Sequence, residues 1–130
     1  MANIVLKRGN KATMFIGLEI GVQGAEEPVT DLANAKKITF LLIDESFTKI
    51  PVVDWSERHV RIISDLVGNP STQVSINNPE MGTVKVIITS PQMKLNPGVY
   101  KFAVQVHYDT DTEYEWAFDD SITIQDDLIK

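Results

Sequence analysis

The sequence has no cysteine, only two histidines and no long apolar run. Without cysteine there is no disulfide framework, no thiolate zinc site and no cysteine nucleophile. The two histidines, His59 and His107, leave little for an imidazole-based catalytic or metal centre. The apolar runs fall far short of the ~20 residues of a membrane-spanning helix. Residues 4–6, followed by Lys7 and Arg8, do not make a signal-peptide core. Basic residues are also scarce: 12 Lys and Arg stand against 18 Asp and Glu, a formal charge of −6. Nucleic-acid affinity comes mainly from Lys and Arg, so neither nucleic acid nor membrane is an expected partner. The expected site of synthesis is the cytoplasm.

The remainder is a chain of 130 residues, 43% of them hydrophobic. That suits one domain burying roughly two thirds of its unfolded surface. Alternation of apolar and polar residues, the signature of half-buried strands, dominates. Residues 11–20 place Met14, Ile16, Leu18 and Ile20 on one face. Lys37 to Asp44 contains an apolar run from Phe40 to Ile43, apolar on both faces, which predicts a central strand covered twice. Residues 83–89 turn Val84, Val86 and Ile88 one way. Residues 99–109 align Tyr100, Phe102, Val104, Val106 and Tyr108, and residues 113–118 return with Tyr114, Trp116 and Phe118. Shorter strands are expected at 4–8, 49–53, 73–76 and 121–125.

Residues 54–68 support two readings. Asp54 and Glu57 form a capping-box pattern, Val60, Ile63 and Val67 share a helical face, and Gly68 suits a helix end. This favours one short helix near 55–67. Val60, Ile62 and Leu66 also alternate, broken only at Ser64.

Together these signals predict an all-β protein, an antiparallel sandwich or barrel of about eight or nine strands. Residues 1–125 are expected to form a single domain and residues 126–130 a short acidic tail. The turn Asn96-Pro97-Gly98 before Tyr100 has the pattern of a tyrosine corner, which sharpens the expectation to an immunoglobulin-like antiparallel β-sandwich. Gly98, Tyr100 and Phe102 would make that corner, Phe102 standing where antibody domains carry their second cysteine. The alternative is that Tyr100 is only the first core aromatic of a long strand.

Four segments stand out: the turn Lys7-Arg8-Gly9-Asn10, Val29-Thr30-Asp31-Leu32-Ala33-Asn34-Ala35 before the central strand, Gly82-Thr83-Val84, and the Pro97-Gly98-Val99-Tyr100-Lys101-Phe102 strand leading to an acidic hairpin. With them the chain resembles the immunoglobulin-like N-terminal domain of phage upper baseplate proteins and related tail-fibre adaptors. The resemblance spans about residues 4–124, and its motifs are structural. It implies a virion protein of tail, baseplate or head that joins other virion proteins, self-associates and has no chemistry of its own.

The chemical alternatives are weak. Neither histidine lies in a nucleophile motif, and both are expected to face solvent. Asp109, Asp111 and Glu113 alternate in a turn and could offer oxygens to calcium, but lack the glycine and distant bidentate Glu of an EF-hand loop. No two carboxylates can be singled out as a glycosidase pair. No enzyme activity, metal or cofactor is expected. A carbohydrate-binding module remains as a second reading, with Trp55, Tyr108, Tyr114 and Trp116 as aromatic candidates. Trp55, Tyr114 and Trp116 are also candidates for a protein interface, where Trp and Tyr are enriched. Finally, residues 102–129 hold eight acids and no Lys or Arg, a one-signed end that could orient a subunit.

Overall fold

The computed structural model describes residues 3–20, 26–29, 32–45, 58–108, 113–118 and 121–126. The strands run in the order β1 (Asn3–Lys7), β2 (Ala12–Gly17), β3 (Glu19–Ile20), β4 (Glu27–Pro28), β5 (Lys37–Asp44), β6 (His59–Asp65), β7 (Val74–Asn78), β8 (Thr83–Ile88), β9 (Gly98–His107), β10 (Glu113–Ala117) and β11 (Ser121–Gln125). A 3-10 turn, Leu32–Asn34, precedes β5.

Two main sheets form. The smaller has the order β2-β8-β7. In the larger, β9 pairs along most of its length with β5, which pairs in turn with β6. The other edge of β9 is shared: Gly98 to Tyr100 meets β11, and Ala103 to His107 meets β10. β10 and β11 are therefore one returning strand in two pieces, and the amide of Phe118 keeps the ladder going with a bond to Phe102 O at 3.2 Å. β1 closes that side, running parallel to β11.

This is an immunoglobulin-like sandwich. β2, β8 and β7 take the places of strands B, E and D. β10/β11, β9, β5 and β6 take those of G, F, C and C′. The inward faces merge into one apolar cluster: Met14 and Ile16 from β2, Val84, Val86 and Ile88 from β8, Ile38, Phe40 and Leu42 from β5, and Phe102 and Val104 from β9. In place of the disulfide and Trp of antibody domains, Phe102 stacks on Phe118 at 4.8 Å and lies 6.4 Å from Phe40.

The helix expected near 55–67 is corrected from residue 59 onward; Asp54, Trp55 and Glu57 lie outside the described residues, as does the expected strand at 49–53. His59–Asp65 is a strand paired with β5 from Ile43↔His59 to Lys37↔Asp65. A full ladder and the burial of Val60 and Ile62 outweigh a local capping pattern. Ser64 does not break the alternation. It is fully buried, and its hydroxyl accepts the amide of Ser71 at 2.9 Å, so its polarity is satisfied. Gly68 ends no helix: the Asp65 carboxylate accepts the amides of Val67 and Gly68, closing a turn after the strand.

Candidate interaction surface

Of the residues singled out from sequence, Gly98, Tyr100 and Phe102 all lie on β9. The Tyr100 phenol is buried and donates to Asn96 O at 2.7 Å, four residues upstream on the turn that enters β9. Gly98, at φ 155°, stands at the start of β9 where that turn meets the strand.

The aromatic candidates divide. Trp55 lies outside the described residues. Tyr114 and Trp116 sit side by side on β10, opposite Val106 and Val104 of β9. Tyr114 is 53% exposed, whereas Trp116 packs partly against the core and donates its indole N–H to Glu19 O at 2.8 Å. That bond ties β10 to the strand that continues β2. Tyr108 meets Tyr114 edge-on at 74°, and Trp116 is tilted from Tyr114 by 46°.

Asp109 and Asp111, two of the three carboxylates weighed for calcium, lie outside the described residues; the backbone of Glu113 pairs with His107 in the β9–β10 ladder. Among the described residues no three His, Asp or Glu side chains cluster as metal ligands would. The histidines are not simply solvent-facing. Both are half-buried, and His107 Nε2 lies 3.0 Å from Gln105 Oε1.

The larger surface feature was not singled out from sequence. It lies on the outer face of the larger sheet, the side away from the core. Register places side chains there in rows across β6, β5, β9 and β10. One row is Ile63, Thr39, Gln105 and Glu115; the next begins Arg61, Leu41 and Ala103; a third is His59, Ile43 and Lys101. All of these residues except Ile63 and Lys101 line a groove of about 500 Å³. Its floor is Thr39, only 7% exposed, with half-buried Leu41, Ile43 and Ala103. Ile63, 46% exposed, lies on the same face of β6, one row from Arg61. Arg61 and Glu115 stand on the two outer strands with exposed side chains.

The signal for this groove was in the sequence. Phe40 to Ile43 is apolar on both faces. The inner face, Phe40 and Leu42, is buried, but among the described residues no element of the chain lies over Leu41 and Ile43. The strand is central, yet its second cover is not among the described residues.

No family model matches this chain, and no curated protein does. Among solved structures, the first Ig-like domain of human CD48 antigen is similar at 14% identity and a TM-score of 0.36, covering 100% of this chain and 86% of that one. Strand order and the Tyr100–Asn96 corner define the immunoglobulin-like fold.

Proposed function

We propose that this chain is a non-enzymatic virion structural protein: an immunoglobulin-like adaptor or accessory of a phage tail, baseplate or head that works by protein–protein assembly. The observation that carries the assembly role is the outward apolar strip of β5, Leu41 and Ile43, in an open groove on a central strand. Apolar side chains placed centrally on an outer sheet face suit a macromolecular partner. The phage setting rests on the segment resemblance that ends in the Pro97 to Phe102 strand. On this reading the protein is made in a host cytoplasm and resides in the particle, with other virion proteins and further copies of itself as partners and no part for nucleic acid or membrane. Mass spectrometry of purified particles, combined with cross-linking, tests it. Recovery of the chain linked to another virion protein is the expected result; its absence from particles would count against the reading.

A carbohydrate-binding role is the second reading, favoured by the exposed ring of Tyr114 beside Tyr108 and Trp116. The mutual tilts of these rings give no flat stacking platform. Tryptophan fluorescence across a broad glycan panel separates the two readings, and a saturable change would favour the glycan.

A further inference from the structure

We propose that the outer face of the larger sheet pairs with the same face of a second copy of this chain, about a two-fold axis lying in the interface. This rests on the assembly reading above and names one partner for it.

Two charges mark opposite sides of this face. Arg61 on β6 and Glu115 on β10 are exposed at opposite margins of the groove. Three inter-strand spacings and one row separate them, roughly 15 Å, so they cannot pair within one copy. Neither has an ion-pair partner among the described residues. They stand almost diametrically across the centre of the face. A two-fold axis through that centre, lying in the interface and inclined by roughly 25° to the strands, sets each Arg61 over the partner's Glu115. The same rotation brings Leu41 of each copy over the Ala103–Gln105 stretch of the other. Opposite charges thus meet twice at the margins while the apolar strip is covered in the middle, as self-complementary interfaces require.

The size of the face sets the strength. Four strands and three to four rows cover on the order of 500 Å² in projection, below the ~800 Å² per partner of a standard interface. The expected dimer is therefore weak, with a dissociation constant in the micromolar range or above, and strengthens in an assembly that holds copies side by side.

Sedimentation velocity of the full chain, from micromolar to millimolar concentration, tests the pairing. The wild type should pass reversibly from monomer to dimer. Arg61→Glu and Glu115→Arg should each weaken the dimer by about ten-fold or more, since each sets like charges together twice. The double variant, Arg61→Glu with Glu115→Arg, should regain wild-type association because the swap restores both pairs. Both side chains are exposed, and circular dichroism checks that each variant is folded. A wild type that stays monomeric at millimolar concentration, association indifferent to the single reversals, or a double variant that fails to recover would overturn the proposal. Its failure differs from failure of the assembly reading. A monomer still found in particles cross-linked to another protein removes only the self-pairing, whereas absence from particles removes the virion role whatever the sedimentation shows.

Discussion

The buried phenol of Tyr100 reaches back four residues to the carbonyl of Asn96, with 2.7 Å between the oxygens. The bond fixes the turn before β9, the strand that carries β5 on one edge and β10 and β11 on the other. Tyr100→Phe keeps the ring and leaves the Asn96 carbonyl without that donor. A loss of about 1–2 kcal/mol is expected, read as a lower denaturation midpoint at unchanged slope.

Ser64→Ala tests the strand assignment of β6. The hydroxyl is the acceptor for the Ser71 amide in a fully buried setting. Its removal should cost about 1–3 kcal/mol. An exposed helical serine would lose almost nothing on the same change. Slow hydrogen exchange at alternate amides of His59–Asp65, rather than along a continuous run, is the companion observation.

Gly82 is the position least able to accept a side chain. Its φ is 67°, and a Cβ there would lie 2.6 Å from Leu18 O and 2.8 Å from Val29 O. The close approach lets the amide of Leu18 bond to Gly82 O at 2.8 Å, joining the end of β2 to the start of β8. Gly82→Ala must strain the backbone and push two carbonyls aside. A destabilisation above about 2 kcal/mol is expected, whereas Gly9→Ala, with open space around the same atom, should cost less.

The Asp44–Arg58 ion pair holds the end of β5 to the entry of β6 at 3.0 Å, with the acid buried and the Arg58 side chain 28% exposed. A double-mutant cycle of Asp44→Asn and Arg58→Ala should give a coupling of about 1–2 kcal/mol, above that of a surface pair. A coupling near zero would show that the pair is solvent-screened.

Much of the fold was legible in the sequence because strand faces are set locally. Val84, Val86 and Ile88 alternate by a period of two, and all three are buried. The same holds for Tyr100, Phe102, Val104 and Val106. Ser64 misled because a polar residue at an inward position looks like a break until its partner is known, and that partner, Ser71, lies in the next loop. The groove was harder still. Arg61, Leu41, Ala103 and Glu115 are scattered over more than fifty positions, and only the register of four strands sets them on one face.

Composition and alternation alone specify a sandwich of half-buried strands without cysteine, with β5 apolar on both sides. Strand pairing sets which side of β5 the core fills, runs β1 parallel to β11, and brings Arg61 and Glu115 to one groove. Side-chain alternation is written residue by residue along the backbone. Strand neighbours are chosen by hydrogen bonding and burial between segments far apart in the chain, and no local pattern encodes that choice.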